Sequence, residues 1–334
     1  MDGKPGGTNG CMTGTRRICR VRGVFEASMV VMTHTAWKRA ADKHAKRVSE
    51  LVDAHVERRA RHEKDPVADF LFEYYRFRMA HLRAWSPGLG VELEIDGPLE
   101  PHGVVTDFWM PVGEGRVRLD PGRIPAHRQD GFRYIRELLV RTADRPPLYG
   151  CAGMHEWAMV YGGGAVRHGN VPLRLSRRDI DRTVEDVGPR CTHFDAFRFF
   201  TEPAKPLNAA SLARENALAI EQPGCLHANM DLYKWAYKGW PWIASELIVD
   251  GLALAFDIRM LDMRASPYDL RARGLSPVCV ETPEGRAEYA ERQRGFFGRA
   301  QELRRQLIGA WDGVLSQCGE HSDDIRRVAP PKSI

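Results

Sequence analysis

Three segments of the chain begin with cysteine and follow it with histidine, an acid and aromatic residues. They are GCAGMHEWAMVY, RCTHFDAFRFF and GCLHANMDLYKWA, led by Cys151, Cys191 and Cys225. His155, His193 and His227 follow within four residues, and Glu156, Asp195 and Asp231 are the acids. Imidazole and carboxylate are the groups of metal ligation and of proton transfer near neutral pH. Three such segments suggest helix starts that converge on one place. Thr192-His193-Phe194-Asp195 also fits a variant capping box, which needs no chemistry.

On a helix, His227, Asp231, Lys234 and Lys238 form one polar stripe, being 4, 3 and 4 residues apart. The next segment, SELIVDGLALAFDIRMLDM, is apolar nearly all round, which implies burial. Its exceptions are Glu246, Asp250, Asp257, Arg259 and Asp262, of which the first three share a stripe. Buried carboxylates must be paired, protonated or metal-bound. If the short GWPW linker folds the two helices together, lysines facing acids would give a purely structural ion-pair ladder.

Two chemistries compete with that ladder. One is a metal centre of iron, manganese or zinc, held between helices as in carboxylate-bridged di-iron bundles. Its candidate ligands are His155, Glu156, His193, His227, Asp231, Glu246 and Asp250. They include no Glu-x-x-His pair and no zinc-finger spacing. The other is a pocket for a flipped nucleobase, stacked by Trp157, Phe197, Tyr233 and Trp235. There Asp231 or Asp250 would stand beside the glycosidic bond and His193 or His227 would orient water. Lys234, Arg264 and the arginines of the last helix would meet phosphates. The bland alternative is that these aromatics are core and these arginines a solvated face.

The elements that must position these residues are mostly helices. The apolar period predicts one from Thr35, and Asp65-Pro66 opens a second through VADFLFEYYRFRMAHLRAW. Residues 90–127 switch to short β-branched runs punctuated by Gly and Pro, a small β-rich insert. Helices are predicted near 129–143, 192–201, 209–221, 226–238 and 243–263. A last one begins at Thr282-Pro283-Glu284 and runs to about Leu315. The expected fold is a mainly α, multi-helix bundle with a β-rich insert.

The 334 residues are 43% apolar and 28% charged, as for a packed globular core. No apolar run reaches the roughly 18–20 residues of a membrane span, so no membrane partner is expected. Seven dispersed cysteines, an odd number, suit reduced thiols and a cytoplasmic location. The net charge of +5 permits a nucleic-acid partner without demanding one. Residues 1–32 are Gly- and Thr-rich and read as a disordered or over-extended leader, with Met29 or Met32 as the true start. Residues 33–318 read as a single helical domain and 319–334 as a flexible tail.

The motifs GMHEWAMVY, CTHFDAFRFF, EQPGCLHANMDLYKWA and LDMRASPYDL resemble those of an actinobacterial family commonly labelled 3-methyladenine DNA glycosylase. The resemblance runs from about Thr35 to Leu315. It implies an N-glycosidase acting on alkylated DNA bases, with alkylated DNA or a small molecule as the partner. A metal-dependent oxidase or hydrolase on the same histidines and acids is the alternative. A non-catalytic helical interaction module is a third reading.

Overall fold

The computed structural model describes residues 29–96, 106–163 and 171–318. Residues 1–28 and 319–334, read above as leader and tail, lie outside the described residues. The chain enters as a strand, β1 (Val30–Met32), and turns directly into α1 (His34–Ala60). Thr33 caps α1 by accepting a hydrogen bond from the Ala36 N–H at 3.3 Å. The face carrying Trp37, Ala41, His44, Val48 and Val52 is buried. The expected boundary at residue 33 therefore falls inside ordered structure, because β1 pairs in parallel with β2 (Val91–Glu94).

The predicted helix through FLFEYYRFRMAHLRAW is two pieces, α2 (Phe70–Tyr75) and α3 (Met79–Arg83). Arg76 breaks it, with the left-handed value φ 49°. That conformation costs about 1–2 kcal/mol. What offsets it is aromatic packing beyond the break: Phe77 stacks on Tyr237 at 3.9 Å between centroids.

The β-rich insert is present. Strands β3 (Trp109–Pro111) and β4 (Arg116–Leu119) join the first two in the order β1-β2-β4-β3. Leu93 opposes Val117, and both are buried with Trp37, Ala41 and Trp85, so the sheet lies against the start of α1.

Helices follow: α4 (Gln129–Ala143), α5 (Met154–Ala158), α6 (Arg177–Val187), α7 (Phe194–Phe197) and α8 (Ala217–Ile220). The last three are α9 (Leu226–Tyr237), α10 (Ser245–Arg264) and α11 (Pro283–Ser316). The helix expected over 209–221 shrinks to a 3-10 turn plus α8. Helices α9 and α10 make the most intimate pair, and α11 packs on α4, α9 and α10. Gly251 permits the close approach: a Cβ there would sit 2.9 Å from the Tyr233 Cα. The apolar core runs from Val48 on α1 to Val314 on α11. Among the described residues no helix is long and apolar enough to cross a membrane.

Candidate functional site

The start of α9 is anchored by buried polar contacts rather than by a side-chain cap. Asn229 donates to the Pro223 carbonyl at 3.0 Å, and Arg304 donates to Asn229 at 2.6 Å. Gln293 donates to the Gly224 carbonyl at 2.6 Å. Arg304 and Gln293 both come from α11, so the longest helix fixes where the His227–Lys238 face points. Asp231, Lys234 and Lys238 of that face turn toward a cleft of about 70 Å³.

The cleft walls come from separate elements. Helix α2 and its exit give Tyr74, Tyr75 and Phe77, and α4 gives Tyr134. Helix α7 and its cap give His193, Asp195 and Arg198, while Arg214 and Glu221 flank α8. Helix α9 supplies Asp231, Lys234, Trp235 and Lys238. The cleft therefore sets convergent charged groups of both signs among aromatic walls.

Asp231 is 2% exposed and has three partners. Its Oδ1 accepts from the Tyr75 hydroxyl at 2.8 Å. Its Oδ2 accepts from Lys234 Nζ at 2.8 Å and lies 3.5 Å from His193 Nε2. Lys234 Nζ also donates to Asp195 Oδ2 at 3.1 Å, so one ammonium bridges two carboxylates. Arg198 and Arg214 approach Asp195 Oδ1 at 3.4 and 3.5 Å. On its other edge, His193 Nδ1 lies 3.3 Å from Glu221 Oε1, close enough to pair but off the hydrogen-bond line.

The electrostatics follow from this geometry. Burial opposes a charged His193, but Glu221 and Asp231 on its two edges outweigh burial and raise its pKa. Burial likewise opposes the Lys234 ammonium, and Asp231 with Asp195 raises it. Burial would lift Asp195, but Lys234, His193 and Arg198 hold it below the usual carboxylate range. The Tyr75 hydroxyl is pushed up by burial and by Asp231, and Tyr134 is pushed up to about 12, chiefly by burial. Both phenols stay protonated and can donate.

A second cluster lies behind the first. His155 Nε2 is 2.9 Å from Asp262 Oδ1, and both side chains are 1% exposed. Arg259 donates to Glu156 at 2.6 Å and to Asp262 at 3.2 Å. Burial pulls His155 down, but Asp262 more than reverses that and raises it to about 10. His227 lies between the clusters, with ring centroids 4.2 Å from His155 and 5.7 Å from His193. Burial and then the His155 charge press it well below the ordinary value, so His227 is neutral.

Of the residues singled out in the sequence, His193, Asp231, Lys234 and Trp235 meet in the cleft. His155, Glu156 and His227 meet behind it with Asp262 and Arg259. Others go elsewhere. Asp250 pairs with Arg47 of α1 at 2.6 Å, and Glu246 accepts from the Trp85 indole at 2.9 Å. Asp257 pairs with Arg299 of α11. The expected ladder between lysines and α10 acids therefore does not form, and Glu246 and Asp250 are not in a shared ligand set. Among the described residues the close ligand groups are His155–His227–Asp262 and His193–Asp195–Asp231.

Trp157 is fully buried and donates to the Ala265 carbonyl at 2.9 Å. Phe197 belongs to a small core around α7, and Tyr233 packs on Tyr75 and Phe77. Arg264 donates to the Ser276 carbonyl at 2.8 Å. These four are not among the residues that line the cleft. The capping box at Thr192 is absent too: His193 is the cap residue, and Asp195 turns to the cations instead. On the last helix, Arg292, Arg299 and Arg305 pair with acids and Arg304 is buried.

Tyr75 and Glu221 were missed because nothing local marks them; only the fold brings them to His193 and Asp231. Asp262 carried a signal, as an acid in a helix that is otherwise apolar all round. No family model, curated protein or solved structure matches the chain.

Proposed function

We propose that the cleft is a hydrolytic active site that cleaves the N-glycosidic bond of an alkylated base such as 3-methyladenine. The observation that carries this reading is Asp231, a deeply buried carboxylate between Tyr75, Lys234 and His193 in an aromatic-walled cleft. A sugar cation developing beside Asp231 gains charge stabilisation that strengthens in the enclosed site. His193, braced by Glu221, orients the attacking water. A methylated, cationic base gains cation–π attraction from Tyr74 and Phe77. The motif resemblance noted above points the same way. The test is release of 3-methyladenine from alkylated DNA and from the methylated nucleoside. Asp231→Asn is expected to lower release by about 100-fold or more while the far-UV spectrum stays native. Full activity in that variant would refute the reading.

A metal-dependent hydrolase or oxidase is the second reading. It is favoured by the two His/Asp groups, whose ligand atoms lie within 4.8 Å of one another. In the cleft, the Lys234 ammonium already stands between Asp195 and Asp231, where a bridging cation would sit. The group behind it has Arg259 against Asp262. Near-stoichiometric iron, manganese or zinc in the purified protein, lost in His227→Ala, would favour this reading over the first. Neither activity nor metal would leave a helical interaction module.

A further inference from the structure

Lys238 differs from its neighbours in the cleft. Lys234 is paired with Asp231 and Asp195, and Arg198 and Arg214 both approach Asp195. Among the described residues Lys238 has no carboxylate within ion-pair distance. It closes α9 and is partly buried against the same aromatic walls. Lys234 lies one turn before it on the same face, and Arg128 donates to the Lys238 backbone carbonyl at 2.5 Å. Asp231, two turns away, is already engaged by Lys234 and Tyr75. An amine taken from water, set beside other cations and given no counter-ion loses its proton readily.

We propose that Lys238 is a carbonyl-capturing amine, a covalent site for a small aldehyde or ketone that also carries a carboxylate or phosphate. The nitrogen lone pair attacks the carbonyl carbon. A C–N bond forms and the C=O bond opens. Both amine hydrogens leave with the carbonyl oxygen as water, so the products are an imine and one water molecule. No oxidant or reductant is needed. The cations that oppose the ammonium also favour an anion beside the carbonyl, which selects the substrate class. Desolvation next to a second cation is a recognised way to activate a lysine for this chemistry. In agreement, burial first, then Lys234 and Arg128, lower the Lys238 pKa to about 8 against the pull of Asp231. At pH 7.5 about a quarter of such an amine is neutral, against about one part in a thousand for an ordinary lysine.

The experiment traps the imine. The full chain is incubated with glyoxylate and sodium cyanoborohydride, and carboxymethyl-lysine is mapped by peptide mass spectrometry. Lys238 is expected to label about tenfold or more faster than the exposed Lys43 and Lys46 of α1, with its rate half-maximal near pH 8. Lys238→Arg should lose the dominant adduct and keep the wild-type melting temperature. Labelling no faster than at Lys43 and Lys46, or a rate that climbs with pH like theirs, would overturn the proposal. Glyoxylate has no glycosidic bond, so this test and the base-release test of Asp231→Asn fail independently.

Discussion

Lys234→Met is the sharpest test of how the cleft is held together. The substitution keeps an unbranched side chain and removes the ammonium, which bridges Asp231 and Asp195 at 2.8 and 3.1 Å and lies 4.3 Å from the Trp235 ring centroid. With an effective dielectric constant of about 20, those contacts have gross Coulomb energies of about 6 and 5 kcal/mol. Desolvation of three ions offsets most of that. Removing one partner still costs roughly 3–5 kcal/mol, because it strands a buried charge. Asp195 keeps Arg198 and Arg214, so the group that loses its closest cation is Asp231, 2% exposed and left with the Tyr75 hydroxyl and with His193 at 3.5 Å. At about 2–4 °C per kcal/mol the melting temperature should fall by roughly 10 °C at pH 7.

The pH dependence has a definite sign. Asp195 is depressed in the folded state, so its stabilisation is present at neutral pH and lost as pH falls through its folded value. Lys234 is raised, so its share persists below about pH 10.4 and is lost only as pH rises through its folded value. The gap between wild type and Lys234→Met should therefore be widest near neutrality and shrink below about pH 4. Urea unfolding at pH 7 and pH 3 measures it. The double variant Lys234→Met/Asp231→Asn should recover much of the loss, since it removes the stranded charge. A single-variant loss below about 1 kcal/mol, or strict additivity in the double variant, would refute the bridging role of the ammonium.

Other outcomes follow from the second cluster and from the helix packing. Asp262→Asn should cost about 3–5 kcal/mol at pH 6 by removing the carboxylate that pairs His155, while Arg259 keeps Glu156. Because His155 is raised to about 10, its share is full below about pH 6.5 and fades as pH rises through about 10. The gap in urea midpoint should therefore narrow from pH 6 to pH 9, and an equal gap at both would mean that folded His155 is uncharged. Gly251→Ala should destabilise by roughly 1–3 kcal/mol despite the better helix propensity of alanine. The new methyl would meet the Tyr233 backbone at 2.9 and 3.0 Å. A raised melting temperature would show that α9 and α10 are not in such close contact.

The local chemistry of the chain was legible where it depended on neighbours in sequence. Thr282-Pro283-Glu284 starts α11, with Thr282 accepting from the Gly285 N–H at 3.0 Å. The alternation near 91–119 yields a sheet, because β-branched runs with Gly and Pro between them favour short paired strands. His227, Asp231, Lys234 and Lys238 share a face because 3.6 residues make a turn, whatever the helix packs against. The break at Arg76 was not legible, since its compensation lies in Phe77 stacking on a residue far along the chain.

What the tertiary structure decided is which stripe meets which. The sequence placed acids in a line on α10 but left the rotation of that helix about its axis open. Gly251 follows Asp250 and is turned about 100° from it. Packing sets this smallest residue against α9, because only there can the two backbones approach so closely. That choice turns Asp250 to Arg47 and Asp257 to Arg299, away from the lysines of α9. Asp231 then draws its partners from α2 and from the residue that caps α7, segments whose distance in sequence gives no local signal. Side-chain faces followed from helical period alone. The partners across each face followed from how closely two helices could pack.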